Sequence, residues 1–243
     1  MGEAAPGIVA AMLCGITILF AWKYLKESKV QVHQDSERRR PRDAVKRMFT
    51  HSKEPSSRLI WIYAIAIGAF QGTFPVLPLF LNEQFQVTEK TIGYFFMYIG
   101  SISVFARVLL LGKGVDRLGE AKLSRVGLVL LAAGLVGMPL SPNLWVLAIA
   151  VAMLPLGTAF TFPCVTALLS RVINPADRGL YMGLQQTFGG VSRIIAPLWA
   201  GFAFDALGSG VPFFTSAAIV LATISLGLGL DQYAKRPARM ASA

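Results

Sequence analysis

The chain is short of charge, and what charge it has is segregated. Only 15% of its 243 residues are Asp, Glu, Lys or Arg, while 54% are hydrophobic. That balance excludes an ordinary soluble domain. None of the 13 acidic residues falls near the middle of an apolar run, Asp205 coming nearest. His33 and His51 lack metal-ligand spacing, and Cys14 and Cys164 sit inside separate apolar runs as small packers. A metal site and a disulfide framework are therefore not expected, nor is any cofactor. No nucleophile–base constellation and no phosphate-binding loop is present, so the chain is not read as an enzyme. Lysines are missing from the middle of every apolar run, which argues against a retinal-binding seven-helix protein, the second class considered. Met1–Gly7 has no positive n-region, so no cleavable signal peptide is expected.

What is present is a series of continuous apolar runs near the roughly 20 residues that span a bilayer as helix. They are not alternating, which disfavours a spanning barrel. The reading is an all-α polytopic membrane protein with seven transmembrane helices. The expected spans are Gly7–Leu25, Leu59–Leu81, Ile92–Leu111, Val126–Leu140, Leu144–Ser170, Leu180–Leu207 and Phe213–Leu230. As domains, residues 1–26 hold the first span, 27–58 a basic linker, 59–230 six further spans, and 231–243 a tail.

The net charge of +10 follows the topology rather than a nucleic-acid surface. Segments after the first, third, fifth and seventh spans carry 20 of the 23 Lys and Arg; the opposite side has Lys90 alone. Positive residues stay cytoplasmic. The expectation is an N-terminus outside, a C-terminus inside, the plasma membrane as location, the lipid bilayer as partner and no nucleic acid. The run Arg38-Arg39-Arg40-Pro41-Arg42 is a topology determinant, with anionic lipid as its secondary partner.

The spans differ in polarity. The fourth and seventh are almost wholly apolar and are expected to face lipid. The second aligns Gln71, Pro75 and Pro78; the third aligns Tyr94, Tyr98, Ser101 and Phe105; the sixth aligns Gln186, Gly190, Arg193 and Pro197. Polar stripes in lipid must face protein or water. Arg193 lies about 13 residues from either end of its span, roughly 20 Å from each surface at 1.5 Å per residue. It wants an anionic substrate group, a carboxylate from elsewhere, or backbone carbonyls. Arg193, Gln186, Gln71 and Tyr98 are the candidate path residues, each weighed against plain helix packing. Pro75, Pro78, Pro155 and Pro197 are candidate kinks. Arg107 is read as snorkelling or bracing the loop that follows.

That loop, Gly112–Arg125, is expected as a tight glycine-rich reversal. Gly112, Asp116, Arg117 and Gly119 fit G-x-x-x-D-R-x-G, which resembles the cytoplasmic loop signature of the major facilitator superfamily. The basic residues that usually follow are replaced by Glu120 and Ala121, with Lys122 one place late. The loop 175–179, leading to Gly183, Gln186, Arg193, Pro197 and Gly201, resembles that family's penultimate helix. The resemblance implies helices six to twelve of a twelve-helix secondary transporter, in its drug:proton antiporter branch. It implies a small-molecule substrate, a proton as coupling ion, gating by the signature loop, and an N-terminal half as partner. The chain is then either a piece of a longer protein or pairs with another. A structural or regulatory membrane subunit, or a truncated remnant, is the alternative.

Overall fold

The computed structural model describes residues 5–25, 41–88 and 90–230. The basic run Arg38–Arg40 and the tail residues Lys235, Arg236 and Arg239 lie outside them. The chain forms two units, Met1–Glu37 and Arg38–Ala243. The first holds one apolar helix, α1 (Ala5–Tyr24). The second holds α2 (Pro41–Thr50), α3 (Pro55–Phe85), α4 (Ile92–Phe105), a π-helical segment (Ala106–Leu110), α5 (Leu111–Leu118), α6 (Glu120–Gly137), α7 (Leu144–Val172), α8 (Arg178–Leu207) and α9 (Val211–Ile224).

A helical fold meets what lipid demands, because every backbone amide is then satisfied within its own segment. Helix ends are marked by local chemistry. Pro55 opens α3, and Gln86 closes it in a left-handed turn at φ 55°. The Asn143 side chain accepts from the amides of Trp145 and Val146 at 3.1 and 3.0 Å, starting α7. Arg58 donates through Nε to the Leu226 carbonyl at 2.6 Å and through Nη2 to that of Leu228, covering carbonyls left open past α9. Helices α3, α7 and α8 run on through Pro75, Pro78, Pro155, Pro163 and Pro197.

Among the described residues, four helical segments are long and apolar enough to cross a membrane: Gly7–Tyr24, Pro55–Phe85, Ile92–Leu118 and Leu144–Val172. Each of the seven expected spans is helical, so the count of seven crossings stands as an approximation. The last apolar helix is shorter than expected, Val211–Gly227 with its final 3-10 turn.

Two close seams hold the second unit together. At the α6–α7 seam a Cβ on Gly127 would meet Thr161 Oγ1 at 2.4 Å and the Gly157 carbonyl at 2.7 Å. At the α3–α8 seam a Cβ on Gly72 would lie 2.9 Å from Ala196 Cβ. Lipid tails are as apolar as leucine, so contact packing rather than water drives such seams. Between them, Phe213 of α9 is fully buried with its ring centroid 4.9 Å from that of Phe80.

Three expectations are corrected. The fourth and seventh spans are not open to their surroundings all round: α6 buries Leu123, Gly127, Leu128, Leu131, Gly134 and Leu135, and α9 buries Phe213, Ala217 and Val220, while Val126, Val129, Ile219 and Leu221 stay exposed on their other faces. Their apolar composition hid small residues spaced for helix contact. The loop after the third span is mostly helix: the chain continues through α5 and reverses at Gly119 alone, at φ 75° and ψ 159°, a region open in practice only to glycine. The basic linker contains α2, docked on α3 and α8 with Ala44 and Met48 buried.

Candidate functional site

Four segments meet at an open groove of about 570 Å³, lined by Tyr63 of α3, Arg107 of the π segment, Phe162, Pro163, Thr166, Ala167 and Ser170 of α7, and Met182 of α8. Each wall follows from local sequence. Gly189 lets the Tyr63 ring lie against α8, where a Cβ would come within 2.8 Å of it. The Tyr63 hydroxyl accepts from Gln186 Nε2 at 3.4 Å, and its ring centroid is 5.3 Å from that of Phe162. Thr166 Oγ1 donates to Gln185 Oε1 at 3.4 Å. Gln185 is fully buried, and its Nε2 has no hydrogen-bond partner among the described residues. A π turn carries an extra residue and so displaces the face that follows; such turns recur at functional sites. Here it carries Arg107.

The electrostatics are one-sided. No carboxylate lines the groove. Among the described residues neither Arg107 nor Arg193 has a hydrogen-bond or ion-pair partner. Arg107 thus makes no bracing contact to the reversal among the described residues, one of the two roles expected of it beside snorkelling; it lines the groove.

Of the path candidates, Gln186 touches the groove through Tyr63. Arg193 lies two turns further on the same exposed face of α8 and is not among the lining residues. Gln71 is half-buried on α3, away from the groove. Tyr98 donates to the Ala148 carbonyl of α7 at 3.2 Å, a bond between helices. Sequence reasoning passed over Tyr63 and Thr166. The signal for Tyr63 was a tyrosine inside an apolar run, which taken alone reads as core.

In the signature loop, Gly119 makes the reversal, and Gly112 has open space around it. Asp116 and Arg117 are exposed, with no partner among the described residues. The charged contact nearby involves Glu120, one of the two positions that depart from the signature. Arg171, at the end of α7, grips Glu120 with both guanidinium nitrogens, at 2.5 and 3.2 Å. Glu120 is buried. A second forked pair joins Arg47 of α2 to Glu54, with Nη2–Oε1 at 2.7 Å and Nε to both oxygens at 3.0 Å. The hydrogen bonds it donates to Glu54 hold the Arg47 guanidinium even above its ordinary basicity. A polar cavity of about 350 Å³ lies here, between α2 and the start of α8.

Comparison with known proteins extends this picture. The family model described as Major Facilitator Superfamily matches residues 4–123 and 59–239. Multidrug resistance protein 2 of Bacillus subtilis is 27% identical over 193 residues, 76% of this chain and 44% of that protein. Major facilitator superfamily domain-containing protein 10 of Mus musculus is 23% identical over 185 residues, 71% of this chain and 39% of that one. The crystal structure of the human organic anion transporter MFSD10 (TETRAN) is similar in fold, with a TM-score of 0.64 at 21% identity over 71% of this chain and 40% of that one. The chain thus spans less than half the length of these relatives.

Proposed function

The chain belongs to the major facilitator superfamily and is an integral multi-pass membrane protein, and from that premise we propose that it forms one half of a secondary transporter for a small organic solute. The observation that carries this reading is the groove. It draws on four helical segments, it is open, and it sets one unpaired cation among aromatic and thioether walls. Membrane transporters of this kind place substrate near the midplane, between two halves.

The surface around the groove supports a second half as partner. Val104, Val108, Ile194, Ile195 and Leu198 are exposed, and Gln186 and Arg193 are exposed among them. Lipid cannot solvate those polar groups, so a face of this kind is covered by protein or lines water. We assign Tyr63, Arg107 and Gln186 to the substrate groove. Arg193, Gln71 and Tyr98 continue the path toward the opposite end, and Pro75, Pro78, Pro155 and Pro197 are the bending points. The loop of Gly112, Asp116, Arg117 and Gly119 gates the cytoplasmic side. Proton-coupled efflux, the plasma membrane, an outer N-terminus and a cytoplasmic C-terminus complete the proposal; a relative named for multidrug resistance supports the efflux sense.

The test is reconstitution in proteoliposomes, alone and with the N-terminal half of a superfamily member. The chain alone is expected to give no uptake, and the paired halves to give uptake that Arg107→Gln abolishes. Solute flux by the isolated chain, lost on Arg193→Ala, would overturn the half-transporter reading.

A further inference from the structure

We infer that the groove takes the acidic group of an amphipathic organic anion, held by the Arg107 guanidinium with the Tyr63 hydroxyl as second donor. This rests on the groove being the transport site proposed above.

The inference follows from counting which donors are already committed. Thr166 spends its hydroxyl proton on Gln185 Oε1. Ser170 spends its own on the Ala167 carbonyl, at 2.8 Å. The Tyr63 oxygen instead accepts from Gln186, and among the described residues its proton goes to no acceptor. Arg107 offers a fork of donors and has no partner there either. The uncommitted donors of the groove are thus the Arg107 fork and the Tyr63 hydroxyl; the Thr166 and Ser170 oxygens keep acceptor lone pairs, but the one full charge among the lining side chains is positive, and that charge sets the match. A group that only accepts, and that carries negative charge, matches it: a carboxylate, sulfonate or phosphate oxygen pair. Phe162, Pro163 and Met182 supply the remaining wall. They offer an apolar and polarisable bed, so the anion carries a hydrophobic or aromatic body. A cationic or strongly basic solute would place like charges together with no carboxylate to offset them.

The experiment uses the full chain in detergent, with Ser170→Cys introduced in a Cys14→Ser background; Cys164 is buried and stays. The introduced thiol is labelled with an anionic and a cationic methanethiosulfonate reagent, each rate normalised to its rate with a free thiol. Protection is then titrated with 2-naphthoate and with its neutral counterpart 2-naphthamide. The anionic reagent is expected to be favoured. Naphthoate is expected to protect at concentrations roughly tenfold lower than the amide, the factor that one charge-assisted hydrogen bond supplies. Arg107→Gln should remove both preferences. Arg107→Lys should keep the reagent preference while weakening naphthoate protection, because the planar fork is lost. Labelling without a naphthoate advantage, whether both probes protect alike or neither does, overturns the anion inference and leaves the groove reading standing. A thiol that neither reagent reaches means the groove is closed, and the proposed function falls together with the inference. The comparison of acid with amide does not require any Arg107 variant to fold.

Discussion

The α6–α7 pair and the α4 face are both predominantly apolar and have opposite surroundings. Helix α6 buries more than half of its length, with backbones so close that glycines at 127 and 157 face each other. In α4 only Ile99 is buried, and Gly93 and Gly100 have open space around them. Apolarity places a helix in the membrane, whereas small residues at matching heights decide what it touches there. The glycine seam packs one side of this unit backbone to backbone, and the α4 face stays uncovered.

The sharpest way to break that comparison is to make one substitution in both places. Gly127→Ala puts a Cβ where Thr161 Oγ1 and the Gly157 carbonyl already stand, and backbone cannot yield cheaply. A loss of about 1–3 kcal/mol or more is expected, seen as a lower thermal midpoint in detergent. Gly100→Ala meets nothing within 4 Å and should be neutral, or gain up to about 1 kcal/mol from helix propensity. Equal losses at the two sites would show that α4 is as tightly packed as α6.

A loss of comparable size is expected at the docking of α2. A ten-residue helix is marginal by itself. It persists here because Met48 is fully buried and Phe49 joins Trp61 and Phe188 in an aromatic trio with centroids 5.4–5.9 Å apart. Truncating a buried methionine costs about 2–5 kcal/mol where the site cannot collapse. Met48→Ala should therefore release α2, raising hydrogen exchange at residues 42–50 while α6 and α7 stay protected. Unchanged exchange there would mean the Arg47–Glu54 fork alone holds the helix.

How far the sequence reached can be judged from these elements. The helical class and the order of the spans were readable, because lipid imposes long apolar runs; that the reversal falls on Gly119 alone was not, since the whole stretch Gly112–Arg125 read as a turn. Helix α2 was hidden by its own setting. Its apolar set is four residues, Ala44, Val45, Met48 and Phe49, inside a basic linker whose charge dominated the reading. The burial of α6 was hidden because hydropathy does not report the height at which Gly127 meets Gly157. Arg107 was misplaced because the span seemed to end at Leu111; the π turn and the helical continuation to Leu118 are properties of the fold, not of any local residue preference.

A smaller effect belongs to the Glu120–Arg171 pair. Glu120 is buried, but the Arg171 side chain is 44% exposed, so solvent screens much of the attraction. Exposed pairs contribute little and removing one buried partner costs more. About 1–2 kcal/mol is expected from Arg171→Gln, which leaves the Glu120 carboxylate without this guanidinium. Glu120→Gln should cost less. A double-mutant cycle isolates the pair, and a coupling of zero would make it a surface contact without structural weight.

The finest contrast removes one oxygen atom from the α4 face and one from the groove. Tyr98→Phe deletes a donor that bridges α4 to the Ala148 carbonyl, and such bonds between membrane helices average about 0.6 kcal/mol. That hydroxyl ties the open face to the packed core, so the change should appear in the thermal midpoint and leave groove protection unaltered. Tyr63→Phe deletes an acceptor whose partner, Gln186, is itself exposed and 3.4 Å away. Water can replace that contact, so the midpoint should stay within about 0.3 kcal/mol of the parent. The groove, however, loses one of its two uncommitted donors, and naphthoate protection of the Ser170→Cys thiol should weaken several-fold. Stability and ligand affinity would then move separately, each with its own tyrosine. If Tyr63→Phe instead lowered the midpoint and spared protection, that ring would belong to the α3–α8 seam alone, and Arg107 would be left as the sole donor facing the groove.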